Sequence, residues 1–391
     1  MPNLASAELC VGCTACVSRC PKQCLSMKCD KDGFEYPEMT NQEQCINCHM
    51  CEKVCPVLRD GVLEKKTPLV FSALSMDEQI RKDSSSGGIF SEFSVAVLLD
   101  KGIVYGAAYD ETWSVKHVAI DDMNQLNKLR GAKYSESNLN NTFIEIEKHL
   151  KNNRRVLFSG TPCQVAGLKE YLHYDYANLF CVDFVCHGVP SPYAWKKYLE
   201  ERRRIDVSDT MPINVNLRSK ETGWSNYSYS YMIEYPNGKQ YLALNSDDLY
   251  MKLFCNDYIS RPSCENCKFK GYSRVSDVTL GDFWGIWDID PEMDDNKGTS
   301  VVLIQSEKGK RLWEEIKGKI KYKQVTLEQA SQYNPSMLVA SKAKQNREDV
   351  LERIRMGRIS SCEELFVQKA PSFSDRVKGK ISRVVHSIMK K

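Results

Sequence analysis

The sequence predicts a chain of unlike parts: a small α+β domain in front, a larger α/β body with a mixed sheet, and a helical tail. Three observations carry this. Ten of the 17 cysteines fall between Cys10 and Cys55. From Leu69 onward, short apolar runs alternate with stretches whose apolar residues recur at helical spacing. Beyond about Lys342 the pattern turns helical and charged. At 391 residues more than one domain is expected, and the parts read as 1–60, 69–340 and 341–391.

Composition narrows the function. A hydrophobic fraction of 42% and a charged fraction of 27% exclude disordered and fibrous classes. A net charge of +3 gives no argument for a nucleic-acid partner, and none is expected. The start MPNLASAELC has no basic region followed by an apolar run, and no stretch approaches a membrane-spanning length. The chain therefore reads as cytoplasmic, with thiols kept reduced for metal or redox chemistry.

In the front part, Cys10, Cys13, Cys16 and Cys20 are separated by two, two and three residues, and Pro21 follows. The run returns as Cys45, Cys48, Cys51 and Cys55, followed by Pro56. This is the double run of a bacterial-type two-cluster ferredoxin, in which the fourth thiolate of each run crosses to the other cubane. Cys10, Cys13, Cys16 and Cys55 are assigned to one 4Fe–4S cluster, and Cys45, Cys48, Cys51 and Cys20 to the second. Tetrahedral zinc is the alternative, but it usually takes two-cysteine knuckles. Cys24 and Cys29 fall outside the pattern and are expected to be packed, free thiols. Two clusters passing single electrons cannot alone carry out a two-electron reaction, so a flavin is expected in the body.

After a polar linker, Arg59 to Pro68, the expected strands are Val70–Ser75, Val104–Tyr109, Arg155–Ser159 and Leu179–Val185. The expected helices are Ile89–Leu99, Leu139–Leu150, Gln164–Leu172 and Tyr193–Arg204. Tyr227–Tyr235 and Lys239–Leu244, joined by Pro236-Asn237-Gly238, read as a hairpin.

Three segments of the body carry chemistry. Ser84 to Gly88 precedes a helix, where hydroxyls and free N–H groups suit a phosphate or simply cap the helix. Ser159-Gly160-Thr161-Pro162-Cys163-Gln164 follows a strand and opens a helix, so Cys163 is either a stabilised thiolate or a buried cysteine. Cys264 and Cys267 form a CxxC that suits half a zinc site, a redox dithiol or half an iron–sulfur site. A third cluster held by Cys163, Cys186, Cys264 and Cys267 is one hypothesis. No GxGxxG fingerprint supports a standard nicotinamide site.

In order along the chain, these segments resemble the beta subunits of coenzyme F420 (deazaflavin) hydrogenases and dehydrogenases. The matching residues are Ser85-Ser86-Gly87-Gly88, Arg130-Gly131-Ala132-Lys133-Tyr134, Ser159 to Gln164, Cys186-His187-Gly188-Val189-Pro190, and the CxxC leading into Ser276-Asp277 and Gly281-Asp282-Phe283-Trp284-Gly285. The resemblance implies a non-covalent FAD, with a further 4Fe–4S cluster beside it. Ser85, Ser86, Gly87, Gly88, Lys133, Tyr134, Gly160, Thr161, Pro162 and Gln164 would line the flavin site. His187 is the candidate for proton delivery, with a packed histidine as its alternative. Asp282 could contact flavin or substrate, or cap a turn.

The expected activity is that of an iron–sulfur flavoprotein oxidoreductase, with a ferredoxin or a hydrogenase subunit as electron partner and a small-molecule acceptor such as the deazaflavin. The rivals are an electron-relay subunit of a larger complex, and a redox enzyme of bacterial surface polysaccharide biosynthesis. Phe373 to Lys391 carries six basic residues against Asp375, with Val377, Ile381, Val384, Val385 and Ile388 on one helical stripe. Such a helix can lie peripherally on an anionic membrane or dock on a partner. Ile286 to Lys342 offers no chemistry at this stage.

Overall fold

A computed structural model describes residues 2–59, 67–206, 210–225 and 227–366. The basic tail from Phe373 to Lys391 and most of the linker lie outside the described residues. The strands in chain order are β1 (Leu25–Cys29), β2 (Glu35–Met39), β3 (Leu69–Ser75), β4 (Ile103–Tyr109), β5 (Val115–Ile120), β6 (Val156–Gly160) and β7 (Leu179–Phe184). There follow β8 (Asn214–Ser219), β9 (Ser230–Glu234), β10 (Gln240–Leu244), β11 (Val278–Asp282), β12 (Ser300–Ile304) and β13 (Ile320–Gln324).

Eight of these strands form one mixed sheet in the order β13-β3-β12-β11-β7-β6-β4-β5. Its centre, β11-β7-β6-β4, is parallel, and both flanks are antiparallel. The parallel strands are apolar on both faces, as strands covered on both sides must be. Alternate residues diverge: Val104, Leu157 and Phe180 pack with the helices Ile89–Leu99 and Glu307–Ile316, whereas Ile103, Val156, Phe158 and Leu179 pack with Thr142–Lys151 and Pro162–Leu172.

Between β7 and its neighbour β11 the chain makes a long excursion. It contains the three-stranded antiparallel sheet β10-β9-β8 and the helices Pro192–Asp206 and Leu249–Cys255. Trp195, Tyr198, Tyr231 and Tyr250 form the core there, joined by Val350, Leu351, Ile354 and Cys362. The helix Arg347–Met356 is thus built into the core of the body. The expected first arm of the hairpin is shorter in the structure, Ser230–Glu234. Strands β1, β2, β5, β8, β12 and β13 are not among those the sequence predicts. Of these, β8 (NVNLRS) is polar in sequence yet buries Leu217, Arg218 and Ser219, and β13 (IKYKQ) is an edge strand with its lysines turned outward.

The front part packs on the second face of the large sheet, where Cys13, Ala15 and Val54 enter the same core cluster as Phe143, Val165 and Leu168. Close approach is possible because residue 167 is glycine. A Cβ there would lie 2.7 Å from both Cβ and Sγ of Cys13.

Candidate functional site: three thiol cavities and a cleft

The cysteines gather around three cavities. Cys20, Cys45, Cys48 and Cys51 line one, with Cys24 as a fifth thiol. Cys10, Cys13, Cys16 and Cys55 line the second, and Cys51 reaches its wall. Cys163, Cys186, Cys264 and Cys267 line the third, although they come from the ends of β6 and β7 and from a loop before β11. Among the described residues, no three His, Cys, Asp or Glu side chains converge on one point as a single-ion site requires. Cys24 is buried, as expected, but Cys29 is exposed at the end of β1.

Burial sets the chemistry of these thiols. It pushes Cys16 and Cys264 up to about 12 and Cys186 to about 11, and in Cys16 and Cys264 the neighbouring thiols add to the rise. Cys163 is likewise driven well above the ordinary thiol range by burial, with Cys267 next in effect. Burial thus opposes the stabilised thiolate that the helix start beside Cys163 would favour. A thiolate at these positions needs a cation to compensate it, which is how metal binding displaces thiol protons. The donor set and enclosure fit cubanes.

A cleft of about 590 Å³ opens at the carboxyl ends of the parallel strands, where open α/β sheets bind ligands; its size lies within the range of ligand pockets. Its wall contains Ser85, Ser86 and Gly88 before the helix Ile89–Leu99, then Lys133 and Tyr134, then Gly160, Thr161, Cys163 and Gln164 after β6. Cys186, His187 and Asp282 are there too. Two expected flavin residues do not line it. Gly87 faces β3, where a Cβ would lie 2.4 Å from the Ala73 carbonyl, and Pro162 faces the third thiol cavity.

Local structure explains several placements. Thr161 and Gln164 form a capping box with Pro162 in the first turn, so the Gln164 side-chain carbonyl accepts from the Thr161 N–H at 2.9 Å. The Lys133 ammonium donates to the carbonyls of Arg130 and Gly131 at 2.7 and 3.2 Å, and desolvation pulls it down to about 7. Tyr134 packs tilted against Phe254, with ring centroids 5.3 Å apart.

Residues 153–329 match the family model for the C terminus of the coenzyme F420 hydrogenase/dehydrogenase beta subunit, and residues 9–58 match the 4Fe–4S dicluster domain. Residues 153–329 of this chain are thus similar to the C-terminal region of those beta subunits. A chain of the F420-reducing [NiFe] hydrogenase complex from Methanosarcina barkeri aligns over 76% of this chain and 96% of its own, at 18% identity and a TM-score of 0.47. None of the curated proteins compared with the chain matches it. The Ser85–Gly88 turn and Lys133 lie ahead of the matched C-terminal region, so their placement rests on the geometry of the cleft itself.

Sequence reasoning misses several contacts of the cleft and some of its residues. His187 has partners after all: Nε2 lies 2.8 Å from Asp257 Oδ1 and Nδ1 lies 3.3 Å from Ser336 Oγ. Asp282 Oδ2 is 3.2 Å from Arg218 Nη2. Arg218 is itself buried, with its guanidinium carbon 3.8 Å from the Tyr229 ring centre and 4.7 Å from that of Trp284. His117 gives its Nε2 proton to the Ser159 carbonyl at 3.0 Å, leaving Nδ1 to accept from Ser137, and burial lowers it to about 4. Burial raises Asp183 to about 6 against the opposing pull of Arg274. Residues 286–342, which read as blank, supply Ser300, Asn334 and Ser336 to the cleft. No helix among the described residues is long and apolar enough to cross a membrane.

Proposed function

We propose that the chain is an iron–sulfur flavoprotein oxidoreductase that connects single-electron donors to an organic two-electron acceptor, the deazaflavin or a similar carrier. One observation carries the reading: neighbouring cavities share walls in an unbroken series. Cys51 lines the first and second cavities, Val11 the second and third, and Val11, Cys163, Cys186, His187, Gly188 and Val189 line both the third cavity and the cleft. Bound in these places, 4Fe–4S cubanes would supply one-electron exchange and FAD both one- and two-electron exchange.

The residues present suit those groups. Each thiol set offers four sulfur ligands, the donor chemistry of a cubane. In the cleft, the Ser85–Gly88 turn at the start of an 11-residue helix offers N–H groups and hydroxyls to a phosphate. Lys133 stands in the same wall, its hydrogen bonds going to backbone carbonyls. His187, steadied by Asp257, is positioned to hold or release a proton at the cleft surface. Asp282 and Arg218 hold each other at the far wall, where a substrate would meet them.

The test is anaerobic purification with iron, sulfide and flavin counted per chain. About twelve irons with FAD are expected, at four per cubane, and Cys267→Ser should lower the count to about eight. Wild-type protein with eight irons would sink the third cluster, and protein that neither retains nor binds FAD would sink the flavin. Reduced protein is then mixed with the deazaflavin and with nicotinamides; failure to reduce any of them would count against hydride transfer to such carriers.

A further inference from the structure

Arg261 lies three residues before Cys264, and its backbone is pinned on both sides. Its N–H donates to the Val189 carbonyl at 2.8 Å, and its carbonyl accepts from the Cys264 N–H at 3.0 Å. From this anchor beside the third cavity, the side chain crosses to the front part. Nε donates to the Cys10 carbonyl at 2.8 Å, and Nη2 donates to the Glu35 carbonyl at 2.8 Å and lies 3.9 Å from Cys10 Sγ. Nη1 lies 2.7 Å from both carboxylate oxygens of Glu136, a residue of the cleft wall. The guanidinium carbon sits 4.3 Å from the Tyr36 ring centre, and the side chain is only 2% exposed. All three nitrogens are engaged and one face is stacked, so the group has a single placement.

We propose that Arg261, clamped by Glu136, is a positioning residue that raises the reduction potential of the cluster ligated by Cys10. The inference rests on the reading that Cys10, Cys13, Cys16 and Cys55 hold a 4Fe–4S cluster. An N–H aimed at a ligand sulfur and a buried positive charge both favour the electron-rich state of a cluster, and hydrogen bonds to sulfur and net charge are established controls of its potential. Glu136 offsets part of that charge from the side away from Cys10. Gly12, between the two ligands Cys10 and Cys13, presses directly on the pair. A Cβ there would lie 2.7 Å from Glu136 Oε1 and 3.0 Å from Arg261 Nη1. The ligand loop and the ion pair therefore hold a fixed spacing.

The experiment is an EPR-monitored redox titration of full-length, anaerobically purified protein, after iron is counted in each variant. Arg261→Met should move one cluster to more negative potential by about tenfold in electron affinity, about 59 mV for a one-electron couple. Arg261→Lys, which keeps the charge but loses the fork, should fall between Met and wild type. Glu136→Gln leaves the arginine charge uncompensated and should move the same cluster the opposite way. A structural loosening would move both variants in one direction, and that result, or potentials that stay put, overturns the proposal. If Arg261→Met fails to load iron, an unmoved potential in both Glu136→Gln and Arg261→Lys overturns it equally. Wild-type protein without iron on the Cys10 set would instead sink the cluster assignment itself.

Discussion

Lys133 carries a pH dependence whose sign follows from its surroundings. Desolvation lowers its ammonium from 10.5 to about 7, so between those values the unfolded chain holds a proton that the folded apoprotein has released. Apoprotein stability contributed by this residue therefore rises with pH across that window. A phosphate placed on Lys133 restores the charge and takes up a proton. FAD affinity for the deflavinated protein is accordingly expected to fall by roughly a hundredfold between pH 6 and pH 9, one linked proton changing it about tenfold per pH unit above pH 7. Lys133→Met should bind FAD more weakly and with a flatter profile. Fluorescence titration across that range checks both, and a flat wild-type profile would remove Lys133 from the phosphate site. Thr161→Ala should cost about 1 kcal/mol through the lost cap, measurable as a lowered unfolding temperature.

At the scale of elements, the helix Pro162–Leu172 is the bearing on which the front part sits. Its Val165 and Leu168 are fully buried, and Gly167 lets Cys13 approach. Gly167→Ala should cost about 1–3 kcal/mol by overpacking, because the atoms it meets belong to a fixed ligand and not to a flexible chain end. Gly318, around which a Cβ would meet nothing within 4 Å, supplies the control, and Gly318→Ala should leave stability nearly unchanged. Thermal unfolding of iron-loaded protein separates the two. If Gly167→Ala unfolds with the control, the contact to Cys13 is not holding the parts together.

For the whole molecule, the outermost thiols bear on the electron partner. Cys48 is exposed beside Ile46, which is 60% exposed, so a one-electron protein donor is expected to dock at this end. Cys48→Ala should abolish reduction by a ferredoxin-type protein while leaving direct hydride exchange at the cleft intact; the two assays are run separately on one preparation. Loss of both activities would contradict the series of shared walls. How much of this was legible in sequence depends on distance along the chain. The two cysteine runs are readable because ligand spacing is a local property, and the parallel strands because two-sided burial leaves uninterrupted apolar runs. The partners of His187 and Arg261 are not, since Asp257 lies 70 residues from His187 and Cys10 lies 251 residues from Arg261. Arg218 was hidden for another reason: an arginine in a polar strand looks solvent-facing until neighbouring rings enclose it.

The excursion between β7 and β11 separates the choice of ligand from the thiol cavities. Arg218 and Tyr229 of the cleft wall belong to that segment and Trp284 is added from just after β11, whereas the serine turn and Lys133 come from the stretch that builds β3 to β6, and the eight front thiols from the N-terminal part. Substitutions within residues 214–255 are therefore expected to change which molecule the cleft admits while leaving the three thiol cavities as they are, because none of those cavities is lined from that stretch.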